Sequence, residues 1–141
     1  MIVYLDTSAF VPLLVPEPGT AASQNLWSKA SAIVSTRLLF VEAAAAVARG
    51  PRAETLTPRE ARKVMETLIR RWSAIVPIEI GRGLVDEAAR TAFRFGLRGF
   101  DAVHCAAAAM IRGDDVVAAS SDRQLLAAWR ELGLATFDPL N

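Results

Sequence analysis

Apolar residues along this chain fall into two alternating kinds of run, and the alternation predicts the architecture. Short runs at 2–5 (IVYL), 32–35 (AIVS), 75–80 (IVPIEI), 115–120 (DVVAAS) and 134–137 (LATF) read as strands. The longer stretches between them carry apolar residues at helical spacing. Helices are predicted from a cap at Thr7 or Ser8 to about Val15, from a cap at Thr20 to about Ala30, and from a cap at Thr36 through Arg37 to Ala48, closed by Arg49 and Gly50-Pro51. The clearest start is Thr57-Pro58-Arg59-Glu60, with Thr at the N-cap, Pro at the first helical position and Glu at the third; that helix runs to about Trp72. Three more helices cover 84–95 (ending at Gly96), 100 or 101 to 112, and 122 to about 132 (ending at Gly133). Pro12 falls near a first turn, where proline is tolerated, and Pro77 favours an edge strand. Segment 50–57 is the one break, and it reads as a loop.

Strands alternating with helices imply an α/β fold, a parallel sheet covered on both faces. The length of 141 residues suits one domain spanning 1–141 with a real core. In such sheets the active crevice lies beyond the carboxyl ends of the strands, where strand order reverses. Asp6 follows the first strand and Asp122 the fourth. If those strands are neighbours at the reversal, both carboxylates face one crevice. Glu42 and Asp101, early in their helices, are placed to reach it.

Composition changes this picture only in part. Apolar residues make up 52%, an excess that points to an apolar face buried against a partner. The net charge of +1 says little by itself. Setting four of the fifteen acids aside for a metal leaves eleven against sixteen bases, or +5, and fourteen of those bases are Arg. Arg is the better residue for bidentate phosphate contact. The lone Cys105 excludes an intrachain disulfide and a Cys-based zinc site. MIVYLDTS has no basic lead-in, and no apolar run reaches the ~18–20 residues of a membrane span, so a cytoplasmic protein is expected.

Candidate chemistry resides in the acids Asp6, Glu42, Asp101 and Asp122. An ionised carboxylate among apolar neighbours is costly unless compensated. A shared divalent cation is the simplest compensator, and oxygen donors of this kind suit Mg²⁺ or Mn²⁺, up to two ions against four negative charges. Glu42 is the most telling, in the nearly all-apolar LLFVEAAAAVA. The bland readings are a helix-capping Asp6 or Asp122, a first-turn Asp101, and a Glu42 paired with an Arg. Thr7, Ser8 and Ser120 offer supporting hydroxyls. His104 shares a helix face with Asp101 and reads as packed or supporting rather than as a catalytic base. Cys105 reads as core. Trp27, Trp72 and Trp129 read as core or interface. The FRFGLRGF segment (93–100) mixes aromatics and Arg beside Asp101 and is a candidate nucleic-acid contact, against a well-packed helix end. The reaction that fits is attack of an activated water on a phosphodiester. Two other readings compete. One is a module that binds RNA or a partner without cutting. The other is phosphoryl transfer onto Asp6, against which Ser8 stands where haloacid-dehalogenase-like phosphatases carry a second Asp.

The motifs VYLDTS, LLFVEAAAA, GFDAVHCAAAA and SSDRQL, with their acids separated by 36, 59 and 21 residues, resemble those of PIN-domain ribonucleases, specifically VapC toxins of type II toxin–antitoxin pairs. The resemblance covers essentially the whole chain. It implies a three-layer α/β/α sandwich with a five-stranded parallel sheet in the order 3-2-1-4-5. It also implies Mg²⁺- or Mn²⁺-dependent endonucleolytic cleavage of RNA. Asp6, Glu42, Asp101 and Asp122 fall on the family's acidic positions, Asp6 and Asp101 as main metal ligands, with Ser120 on the supporting hydroxyl position; the motifs assign no basic residue to RNA, and Arg98 and Arg123, close to them, are the candidate contacts. A homodimer and inhibition by a VapB-type antitoxin are implied as well.

Overall fold

The central strand is hydrophobic on both faces, and the fold is organised around it. The structure, a computed structural model, describes residues 1–52 and 55–141. Strands β1 (Ile2–Leu5), β2 (Ala32–Thr36), β3 (Ile75–Ile78), β4 (Val116–Ala119) and β5 (Ala135–Phe137) form one sheet in the order β3-β2-β1-β4-β5, all pairs parallel. β1 sets Ile2 against Ala32 on one side and against Val116 on the other. The strand order therefore reverses between β1 and β4, and the carboxyl ends of these two strands lie side by side.

Side chains of β1 alternate between two cores, as strand geometry dictates. Val3 and Leu5 pack with Phe10, Leu26, Leu39, Ala43 and Leu68. These belong to the layer built from α1 (Thr7–Phe10), α2 (Thr20–Lys29), α3 (Arg37–Arg52) and α4 (Pro58–Trp72). Tyr4 points the other way, toward Leu84, Ala102, Cys105, Leu125 and Trp129. Those residues come from α5 (Arg82–Phe95), α6 (Gly99–Met110) and α7 (Arg123–Glu131). The result is the expected α/β/α sandwich. Fully burying one such Leu contributes ~1.5–3 kcal/mol. On α6, Ala102, Cys105, Ala106, Ala107 and Ala108 are all buried. Their small side chains let the helix lie close to the sheet, which brings Asp101 and His104 near the end of β1.

Local signals worked where the chemistry was local. Thr57 and Glu60 form the reciprocal capping box at α4. Pro77 lies in edge strand β3, and Gly96 and Gly133 take the left-handed conformation after α5 and α7. Trp129 is fully buried, and its indole N–H donates to Cys105 O at 3.3 Å.

Several expectations need correction. The helix after β1 stops at Phe10 and tightens into a 3₁₀ turn, Val11–Leu13, because Pro12 has no N–H to continue the α-helical ladder. Its N-cap is Asp6, not Thr7 or Ser8. Gly19 caps α2; Thr20 is its first residue, and its hydroxyl donates to Pro12 O. Thr36 ends β2 and immediately precedes α3 as expected, but its buried Oγ1 has no hydrogen-bond partner among the described residues and makes no side-chain cap. Gly50-Pro51 does not end α3, which continues to Arg52. A proline this near the end removes only one late hydrogen bond. Gly50 serves packing instead, since a Cβ there would meet Leu56 Cδ1 at 2.7 Å. Of the expected loop 50–57, residues 53–54 lie outside the described residues. β3 ends at Ile78, and α6 ends at Met110 rather than Arg112.

Candidate active site

Chain topology brings the four acids to one cleft. Asp6 ends β1, Asp122 follows β4, Glu42 lies in the second turn of α3 and Asp101 in the first turn of α6. All four border a cavity of about 290 Å³, together with Thr7, Ser8, Arg49 and Arg98.

The floor is rigid. Asp6 is 5% exposed, and its Oδ2 accepts from Ser8 N–H (3.3 Å), Ser8 Oγ (2.6 Å) and Ser120 Oγ (2.8 Å). Each hydroxyl has a single proton. Both protons are therefore directed at Asp6, and the two hydroxyl oxygens in turn accept from Ser121 N–H and Asp122 N–H. Glu42 is held by its Oε1, which accepts from Thr7 Oγ1 (2.8 Å) and His104 Nε2 (2.7 Å). His104 is fully buried, and its Nδ1 lies 2.8 Å from Tyr4 Oη. When the imidazole is neutral, Tyr4 donates to Nδ1 and Nε2–H donates to Glu42. When it is protonated, both nitrogens donate. Glu42 receives a donor in either state.

Charge follows from these contacts. Burial alone would raise the Glu42 carboxyl, but the hydrogen bonds of His104 and Thr7 and the charge of His104 hold it below the usual range. Burial would lower His104, but the Glu42 bond and the charges of Asp6, Glu42 and Asp101 hold it above the ordinary value. Burial raises Tyr4 well above the ordinary phenol value, with the charge of Asp6 adding to the rise.

The rim is looser. Asp122 caps α7, its Oδ1 accepting from Gln124 N–H (2.8 Å) and Leu125 N–H (3.1 Å). Asp101 Oδ2 accepts from Arg98 Nε at 3.2 Å, and the Arg98 side chain is 85% exposed. Burial raises the Asp101 carboxyl; Arg98 offsets part of the rise, while Asp122 and Asp6 add to it. Asp122 and Asp6 thus stand within electrostatic reach of Asp101.

Sequence reasoning missed Tyr4 and Arg49. Tyr4 carried no signal, being one apolar strand position among four. Arg49 was legible, because it lies seven residues, two turns, after Glu42 and so on the same face of α3. Arg98 borders the cleft. Arg123 is exposed at the start of α7 and is not among the residues bordering the cleft.

The donor set fits a hard cation in one respect. Among the described residues, each of the four carboxylates commits one oxygen to protein donors and leaves the other without a hydrogen bond. Among the same residues, no three His, Cys, Asp or Glu side chains already stand in a metal-enclosing cluster. Of the four acids, Asp101 is held by a single side-chain hydrogen bond, from Arg98.

Residues 3–130 match the PIN domain family. Ribonuclease VapC45 of Mycobacterium tuberculosis is 36% identical over 124 residues, which is 88% of this chain and 86% of that protein. The crystal structure of PAE2754 from Pyrobaculum aerophilum superposes with a TM-score of 0.71 at 22% identity, over 99% of this chain and 90% of that one. A toxin–antitoxin complex from Klebsiella pneumoniae gives a TM-score of 0.68 at 13% identity, with 97% of each chain covered. At those identities the two structures bear on the fold alone. Taken with the family match and the 36% identity, the chain belongs to the PIN-domain family of VapC-type ribonucleases.

Proposed function

We propose that this chain, one domain over residues 1–141, is a divalent-metal-dependent endoribonuclease and the toxin of a type II toxin–antitoxin pair. The observation that carries the reading is the set of four carboxylates around one cleft, each with one oxygen free of hydrogen bonds among the described residues, beside hydroxyls and an imidazole that hold the acids in place. Asp6, Glu42, Asp101 and Asp122 would hold Mg²⁺ or Mn²⁺. Once bound, such an ion would supply activation of a water and compensation of charge on the phosphorus oxygens. The chain's own contribution is positional. Ser8 and Ser120 fix Asp6. Thr7 and His104 fix Glu42 and keep it ionised. Arg98 supplies positive charge where the RNA backbone enters. A protein antitoxin and a second copy of the chain are the partners of this reading. It is supported by the toxin–antitoxin complex among its structural neighbours and by apolar side chains left open on α5, Val85 (49%) and Phe93 (94%).

Asp6 as a phosphoryl acceptor fits less well, since three donors occupy Oδ2 of a side chain that is almost wholly buried. The test is cleavage of structured RNA with Mn²⁺, with Mg²⁺ and with chelator. Cleavage requires either metal and falls at least ~100-fold in Asp6→Asn, beyond the ~10–100-fold typical of losing a supporting hydrogen bond. Equal cleavage by the variant overturns the site. A metal-loaded wild type that binds RNA without cutting it leaves a binding module.

A further inference from the structure

A larger groove opens from the cleft. Its volume is about 790 Å³, within the ~300–1,000 Å³ of sites that take small molecules. One wall is a stripe of α3, Leu38, Val41, Ala45 and Arg49, brought to one face by helical spacing. The other is the start of α6, with Arg98 and Phe100. Glu42, Arg49, Arg98 and Asp101 border both the cleft and the groove, so a ligand in the groove is continuous with the acids.

Two features of this groove ask for a particular ligand. Phe100 is 64% exposed and Val41 62%, so a flat apolar surface is open beside a charged centre. A guanidinium stands on each wall. The acids repel a polyanion, and the two arginines are the groups in this groove that attract one. Resting on the reading of the chain as a ribonuclease, we propose that the groove is a subsite for one unpaired nucleotide next to the scissile phosphate, its base against Phe100 and Val41 and its phosphates on Arg49 and Arg98. The nucleotide is unpaired because a duplex buries the base faces that an aromatic ring contacts. A phosphate on Arg98 competes with Asp101 for that side chain, whose one bond to the acid is 3.2 Å long.

The probe is a single-stranded oligoribonucleotide carrying 2-aminopurine, titrated into the intact wild-type chain and into Phe100→Ala, Phe100→Trp and Arg49→Gln. Phe100 is exposed, so these variants keep the fold. Stacking quenches the fluorophore in wild type and in Phe100→Trp. Phe100→Ala loses the quench and binds about tenfold more weakly, the loss of one base–aromatic stack. Arg49→Gln keeps the quench and lowers the salt dependence of binding by about 0.7 in the log–log slope, one phosphate contact on a single strand. No binding by wild type, or a quench unchanged in Phe100→Ala, overturns the subsite. So does a Phe100→Ala chain whose light-scattering mass drops, which would assign Phe100 to a protein interface. Cleavage is read separately with Mn²⁺. A wild type that quenches but does not cut overturns the hydrolase reading and keeps the groove. A wild type that cuts, with the KM of Phe100→Ala unchanged, overturns the groove alone.

Discussion

The floor and the rim of the cleft carry the same functional group and hold it in different ways. On the floor, Asp6 and Glu42 accept from side chains that are themselves buried or tied, namely Ser120, Ser8, Thr7 and His104. On the rim, Asp101 is tied to one exposed arginine, and Asp122 to the backbone of the helix it caps. A carboxylate fixed by buried donors cannot follow a ligand, whereas one tethered to a solvated guanidinium can. Under the proposed function this contrast becomes a division of labour, in which the floor would set the geometry and Asp101 would adapt when metal and RNA bind.

The sharpest way to break that contrast is to neutralise one acid from each region. Asp6→Asn abolishes RNA cleavage by ~100-fold or more, while Asp122→Asn, whose amide oxygen still caps α7, loses about tenfold; single-turnover rates with Mn²⁺ decide. Equal losses would end the division.

Next in size is the support beneath the floor. His104→Ala removes a fully buried ring and strips partners from Tyr4 and Glu42. Cavity and orphaned polar groups together cost ~2–4 kcal/mol, read from urea midpoints. A loss below ~1 kcal/mol would mean the network is not rigid.

On the rim the effect on folding reverses. Asp101 has a raised carboxyl, so its ionisation opposes the folded state, and more so as pH rises through its folded value. Asp101→Asn therefore holds or slightly raises Tm at neutral pH without metal, while Mn²⁺ affinity by calorimetry falls about tenfold. A falling Tm would contradict this.

The smallest signal comes from Cys105, beside His104 on α6. Burial pushes its thiol to about 12. Alkylation at pH 8 is then negligible in the native chain and appears only as the helix layer opens. Rapid native labelling would show the layer over the floor to be loose.

Much of this fold can be read from local chemistry. The Thr57–Glu60 box, Pro77 at an edge and the order of strands and helices depend on residues a few positions apart, and each is found. Some failures came where packing decided. Gly50 looked like a helix stop, yet Leu56 packs against it within a continuing helix. Thr36 stands just before α3 as a cap should, yet the sheet buries its hydroxyl without a hydrogen-bond partner among the described residues.

For the cleft, the sequence named the acids because a carboxylate in an apolar setting needs a reason wherever it lies. It also fixed the period-two burial of β1 that divides the core into two layers. Only the tertiary structure decided which oxygen of each acid is engaged and that Tyr4 stands behind His104, a hundred residues away in the chain. It alone joined Arg49 and Arg98 across one groove. Hydrogen bonds and charge fall off over a few ångströms, so they depend on which residues folding brings together, and spacing along the chain does not encode that distance.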